Sequence, residues 1–380
     1  MSEYSQLYQY CTTERQREVI QAIIQEGGKA QASRVLSMDI RTVYRILEKL
    51  RARANDLPIG HVMSGQSVLT DADGNVKLTW TKTAKDSDVA RAALHEAAEA
   101  LSERIKKAKP VAPPKHGEDE LLNLMVITDY HLGMRAWPEE TRQQAWDLEI
   151  AETLLIKWFH AAINQSPKAH TAVFAQLGDF LHWDGLEQVT PTSGHILDGD
   201  TRFALLVRTA IRVIRQIIAL LLQRHQEVIV LMAEGNHDLA SSVWLRELLY
   251  SHYENEPRVK VDRSADPYYC VEWGDTSLFF HHGHKRRLAN VDDVFAAKFR
   301  DVFGRTKHSY AHTGHLHHSV RKETNLMMVE QHRTLSASDA YASRGGWMSG
   351  RDAQVITYHN ALGDVGRSVI SPERVMRLAV

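Results

Sequence analysis

The chain has 380 residues, 46 Lys and Arg against 47 Asp and Glu, and a hydrophobic fraction of 43%, so it reads as an ordinary globular protein able to bury a large core and carry a second small domain. The opening "MSEYSQLYQY" lacks a basic segment followed by an apolar core, which argues against a secretory signal, and Cys11 and Cys270 are too few and too far apart for a disulfide framework or a cysteine-rich zinc site. Histidine is abundant, with 21 residues and dense runs at "HHGHK" and "HTGHLHH", which raises the prior for metal or phosphate chemistry.

In chain order, residues 13–54 predict three helices: an amphipathic first helix stopping at Gly27-Gly28, a short second one, and a third entered near Asp39. Short helices around a tight turn are the outline of a helix-turn-helix. The third carries Arg41, Arg45, Lys49, Arg51 and Arg53 against Asp39 and Glu48, a charge footprint suited to DNA, with Arg41, Arg45 and Lys49 as the candidate contacts. Next, "SVLTDADGNVKLTW" alternates around a Gly-bearing turn and predicts a hairpin. Its "DADGN" opens like a calcium loop, but Lys82 stands where the closing glutamate belongs, so calcium is discounted. Residues 86–109 predict an Ala-rich helix whose narrow apolar stripe could pair with a second copy of the chain. "KPVAPPKHGEDE" follows as a linker, giving a helical domain over 1–56, a connector over 57–119 and a larger domain over 120–380.

In the larger domain, "LLNLMVITD", "TAVFAQLGD", "EVIVLMAEG" and "TSLFFHHG" are continuous apolar runs, the pattern of strands buried on both faces. Helical segments at 144–163 and 201–224 separate the first three, so a layered α/β fold is expected. The longest apolar stretch, 203–223, is interrupted by Arg208, Arg212 and Arg215 at helical spacing, which fits an amphipathic helix with a solvated face better than a membrane span. A cytoplasmic protein is expected.

Each apolar run ends in the same few polar residue types. The first delivers Asp129 and His131, the second Asp179, the third Asn236, His237 and Asp238, the fourth His281 and His282, and a weaker fifth run His315 and His317. Loops at the carboxyl ends of strands in α/β sheets converge on one crevice. Carboxylate and amide oxygens mixed with imidazoles suit Mn²⁺, Fe or Zn²⁺, with Mg²⁺ also possible, and exceed what one tetrahedral ion needs. Two ions about 3.5–4 Å apart would use them all, acidifying a bridging water and clamping both oxygens of an in-line displacement at phosphorus.

"DYH", "GDFLHWDG", "GNHD", "HHGH" and "GHLH", in this order and each after a strand, resemble the five signature blocks of the calcineurin-like metallophosphoesterases over roughly residues 120–320. The resemblance implies a β-sandwich core flanked by helices and two divalent ions, Mn²⁺ above all. It places Asp129, His131 and His317 on one ion, Asp179 between the two, and Asn236, His315 and a histidine of the fourth block on the second. His282 is preferred there because it directly precedes Gly283, although alternation cannot exclude His281 when both sheet faces are buried. His237 would meet the phosphate or leaving group, with Asp238 orienting its ring. A helix-turn-helix joined to such a domain also resembles proteins encoded by tailed bacteriophages and prophages, which would place the protein in a host cytoplasm.

Two further segments could touch substrate: the loop 190–202, and "SRGGWMSGR", whose Arg344 and Arg351 could clasp phosphate oxygens. The function expected is a phosphodiesterase or nuclease acting on DNA. A phosphatase or small-nucleotide phosphodiesterase whose N-terminal domain serves assembly is the alternative.

Overall fold

The computed structural model describes residues 4, 7–11, 13–55, 61–70, 76–85, 107–115, 117–191 and 193–377, without the side chains of residues 9, 48, 49, 51–55, 61–70 and 76–85. The chain divides into two compact units, Met1–Glu96 and Ala97–Val380. In the first, helices α1 (Glu14–Glu26), α2 (Lys29–Val35) and α3 (Ile40–Asn55) precede an antiparallel hairpin of β1 (His61–Thr70) and β2 (Val76–Lys85). The hairpin extends well beyond the 67–80 expected from sequence. Thr13 caps α1: its hydroxyl accepts the Gln16 N–H while the Gln16 side chain accepts the Thr13 N–H, and Gly27 ends the helix at φ +71°. Val19, Ile20 and Ile23 of α1 and Val43, Leu47 and Leu50 of α3 are buried in one small core with Ala32 of α2. The helix expected over 86–109, and with it the pairing of two copies, lies outside the described residues up to 106; residues 107–109 are irregular chain.

The second unit contains, in order, β3 (Glu118–Ile127), α4 (Leu148–Gln165), β4 (Ala169–Gln176), α5 (Phe203–Leu222), β5 (Glu227–Met232), α6 (Leu239–Tyr253), β6 (Val259–Val261), β7 (Tyr269–Trp273), β8 (Thr276–Phe280), α7 (Val291–Lys298), β9 (His308–Thr313), β10 (Val320–Glu323), β11 (Met328–Gln331), α8 (Ala340–Gly345), β12 (Ala353–His359) and β13 (Gly363–Ile370). One six-stranded sheet has the order β13-β12-β3-β4-β5-β6, parallel from β3 to β6, and a five-stranded sheet has the order β10-β11-β9-β8-β7.

The layers follow from the two-residue strand period. Met125, Ile127, Phe174, Val228 and Val230 pack on Leu155, Phe159, Ile214 and Ile218 of α4 and α5. Their neighbours Leu124, Val126, Val173, Ala175 and Leu231 face the other way, against Val271, Leu278 and Phe280 of the second sheet. That sheet's outer face packs Phe279, Ala311 and Val329 on Val291 and Phe295 of α7. The result is the layered α/β sandwich expected, helices on sheet on sheet on helices, and it explains the uninterrupted apolar runs. Arg208 and Arg212 are exposed on α5, Arg212 paired with Glu152 at 2.6 Å. No helix among the described residues is long and apolar enough to cross a membrane.

Candidate metal centre

Strands β3, β4, β5, β8 and β9 end side by side, and the residues just past each end meet. Local backbone geometry turns their side chains inward. Among the described residues seven non-glycine positions have positive φ, and five of them are Asp129, His131, Asp179, His315 and His317. The left-handed region costs about 1 kcal/mol or more per residue, is tolerated best by Asn, Asp and His, and clusters at functional sites. Glycine is needed beside them for space: a Cβ at Gly235 would collide with Asp179, and one at Gly314 with the Thr128 hydroxyl.

The donors form two overlapping groups, Asp129, Asp179, His282 and His315 in one and Asp129, His131 and His317 in the other, each group's ligand atoms lying within 4.8 Å of one another. Asp129 is common to both groups. Asp179 approaches His282 Nε2 at 3.2 Å, and the Asn236 side-chain oxygen lies 3.2 Å from the same nitrogen. On the other side Asp129 Oδ1 lies 3.1 Å from His317 Nε2. Further donors fix the Asp129 carboxylate: the Thr128 hydroxyl at 2.6 Å and the His315 N–H at 2.8 Å both donate to Oδ2.

Of the two adjacent histidines, His282 faces the centre. Its Nδ1 lies 2.9 Å from the Leu177 carbonyl, which leaves Nε2 for the donors opposite. His281 instead stacks on Tyr268 at 4.4 Å, and its Nδ1 accepts the Gly283 N–H. His237 donates its backbone N–H to Asp179 Oδ1 at 2.8 Å, and its ring is only half-buried.

Asp238 corrects one expectation. It does not orient the His237 ring; the His182 carbonyl does, 2.8 Å from His237 Nδ1. Asp238 is buried and accepts the N–H groups of Asp179, Phe180, Leu181 and Gly235, so it ties the loop after β4 to the loop after β5. The reason is that its carboxylate is taken up by these four backbone N–H groups, three of them from the loop after β4, and turns away from the neighbouring ring.

Arg344 and Arg351 do not form the expected clasp either. Arg344 is exposed and pairs with Glu140. Arg351 directs Nε and Nη2 at the Leu335 carbonyl and lies over the Trp146 ring. In the first unit Arg41 and Arg45 are exposed on α3, and the Lys49 side chain lies outside the described ones.

Two residues were quoted in the sequence motifs without a central role. His182, three residues after Asp179, is buried with its Nδ1 3.3 Å from His131 Nδ1 and its ring stacked on His237 at 5.6 Å. His284 has two ring nitrogens without hydrogen-bond partners among the described residues, 5.2 Å ring to ring from His282. The signal for both was only their nearness in sequence to Asp179 and His282. A separate buried group, His312, Glu330 and His332, is already satisfied in part by Arg367, which donates to both Glu330 oxygens.

The electrostatics show what the centre lacks. Burial works against charge on Asp129 and Asp179, yet His317 and His282 hold the first carboxyl below the ordinary range and His282 and His237 hold the second below it. No lysine or arginine pairs with either carboxylate among the described residues. Burial and the neighbouring His237 keep His131 neutral, its ring pushed down to about 3, as a ligand requires. Two buried carboxylates with no lysine or arginine beside them among the described residues, facing imidazoles and an amide oxygen, fit a pair of divalent ions.

No family model matches the chain, and no curated protein matches it. Solved structures do match. A conserved uncharacterized protein of Streptococcus pneumoniae TIGR4, described as a predicted phosphoesterase, aligns over 67% of this chain and 91% of its own at 10% identity and a TM-score of 0.31. A protein described as a novel archaeal phosphodiesterase aligns over 65% and 99% at 14% identity and 0.34. Vps29 of Entamoeba histolytica, in complex with zinc, aligns over 66% and 99% at 12% identity and 0.27.

Proposed function

We propose that this chain is a metal-dependent phosphoric ester hydrolase, a phosphodiesterase that cleaves DNA and is brought to it by the N-terminal helices. The observation that carries the reading is the meeting of Asp129, Asp179, Asn236, His282, His315, His131 and His317 from five strand ends, with no lysine or arginine paired to its two buried carboxylates among the described residues. These seven side chains would hold two divalent ions, Mn²⁺ above all given the mixed oxygen and nitrogen donors. Such ions polarise a phosphoryl oxygen and acidify water.

The chain's own residues do the rest. His237 is held by its backbone on Asp179 and by its ring on the His182 carbonyl, which leaves Nε2 to donate a proton to the departing oxygen. His182 braces His131 and His237 together, and Asp238 keeps the two loops in register. DNA as substrate is supported by exposed Arg41 and Arg45 on a helix of helix-turn-helix outline.

The test is a Mn²⁺-dependent screen on single-stranded DNA, duplex DNA, small diesters, nucleotides and phosphopeptides, paired with metal analysis. The wild type should hold about two ions per chain and cleave diesters, and Asp179→Asn should lose turnover together with metal. A fully loaded, fully active Asp179→Asn protein would sink the assignment. Turnover confined to phosphomonoesters would make the protein a phosphatase.

A further inference from the structure

The segment that leads away from the metal centre ends in exposed aromatic rings. The Thr334 and Ser336 hydroxyls both donate to the Asp129 backbone carbonyl. Three residues further on, Asp339 caps α8 by accepting the Ala342 N–H at 2.8 Å. Three residues span at most about 11 Å, so α8 starts within that reach of Ser336 and the Asp129 backbone. After α8 the chain reverses at Gly346, φ +72°, and the Trp347 N–H returns to the Ala342 carbonyl. This reversal sets the Trp347 ring 5.2 Å from that of Tyr341, tilted by 55°.

A second segment arrives from the other ligand. Just after His131, residues 133–135 pair by backbone with 198–200: Asp200 N–H donates to the Gly133 carbonyl and Arg135 N–H to that of Asp198. The loop before it, closed by the Val189–Ile196 bridge, lifts His195 to 6.1 Å from Tyr341, edge on. Three rings from two loops therefore form one ridge, on segments that run from the ligands Asp129 and His131. Tyr341 is 61% and Trp347 59% exposed, and Arg344 stands exposed on the same helix, partly compensated by Glu140.

Single exposed apolar side chains are common on any protein surface, but two large exposed rings in contact, with a third ring edge on, offer flat faces to a flat ligand. We propose that Tyr341, Trp347 and His195 form a stacking platform for the bases of a single-stranded nucleic acid whose backbone runs into the metal centre. The proposal rests on the phosphodiesterase reading of that centre and names its substrate class. Every base has a π-face, and stacking on an aromatic ring strengthens binding about 5- to 150-fold per base without reading sequence. In a duplex those faces are covered, so the platform selects unpaired strands or frayed ends.

The test separates bases from phosphates, because the DNA contacts proposed for Arg41 and Arg45 would attract any polyanion. The full chain, in EDTA to prevent turnover, is titrated into a short fluorescein-labelled oligothymidylate and into an abasic strand of equal length, reading anisotropy. Wild type should prefer the oligothymidylate by about ten-fold or more. Tyr341→Ala with Trp347→Ala should abolish the preference, and Trp347→Phe should keep most of it. Equal affinity of the wild type for both strands overturns the proposal, as does a preference that survives the double variant. Sedimentation velocity covers the other occupant: a wild-type dimer that the double variant splits, with base preference unchanged, would make the ridge a contact between copies. Failure of the centre itself is read separately, as absence of Mn²⁺-dependent hydrolysis of a small diester by the wild type.

Discussion

The loops at the strand ends and the third helix of the N-terminal unit both present polar side chains, but the two regions hold them differently. Asp129 is buried, bonded by Thr128, His315 and His317, and fixed through its carbonyl by Thr334 and Ser336. Arg41 and Arg45 project from α3 into solvent, and the carboxylate near Arg41, Asp39, is 4.0 Å from its Nε. A centre of the first kind works by geometry, so losing one group should be steep. A surface of the second kind works by summed charge, and its losses should be graded.

The steepest loss that leaves the donors in place is expected at His237. General acid catalysis contributes about 10²–10⁴-fold, so His237→Ala should lower kcat on a DNA or alkyl diester by that range while metal content stays constant. An activated nitrophenyl diester needs less protonation and should lose less. Equal losses on both substrates would assign His237 to phosphate positioning, and no loss on either would remove it from the chemistry.

The centre's rigidity has a pH signature in metal-free protein. Burial opposes charge on the His282 ring, but Asp179 and Asp129 outweigh it and push the ring up to about 9 from 6.5. A folded-state value above the unfolded one stabilises the fold fully below about 6.5, and that contribution is lost as pH rises through 9. In EDTA, Tm should therefore fall across this interval, and His282→Gln should flatten the profile. Saturating Mn²⁺ should erase the decline, because binding an ion displaces the proton. A Tm in EDTA that is level from pH 6.5 to 9 would contradict the pairing of His282 with the two carboxylates.

These contrasts also explain what was legible in the sequence. The strand ends were readable because a run buried on both faces must stop where polar side chains begin, and Asp129, Asp179, Asn236 and His315 sit at those stops. Choosing between His281 and His282 was beyond periodicity, since one faces the outer helical layer and the other the centre and both are buried. Asp238 was misread because its partners are backbone amides, whose directions depend on left-handed turns that residue types do not reveal. Arg344 and Arg351 failed for a related reason: their actual partners, Glu140 and the Leu335 carbonyl, come from distant chain.

For the N-terminal unit the expected effects are smaller and graded. Arg41→Ala with Arg45→Ala should weaken DNA binding and lower the salt slope by roughly one unit per lost phosphate contact. Each single variant should fall between the wild type and the pair. A single substitution as damaging as the pair would point to one geometric contact, and the contrast with the metal centre would fail.

The smallest effect separates the stability of the N-terminal unit from the chemistry. Thr13 and Gln16 satisfy each other's N–H groups at the start of α1, where no helical carbonyl is available to do so. Thr13→Ala removes the acceptor for Gln16 and should cost about 1 kcal/mol, and Thr13→Ser should restore most of it. In a unit whose core rests on residues such as Val19, Ile20, Val43 and Leu47, that is a sizeable share of the stability. Amide exchange over residues 17–23 of α1 should accelerate by about five-fold, while hydrolysis of a small diester, which needs only the metal centre, should not change. Exchange that stays at the wild-type rate would deny the cap its role. A fall in diester hydrolysis would mean that α1 supports the centre, and the two regions could no longer be argued apart.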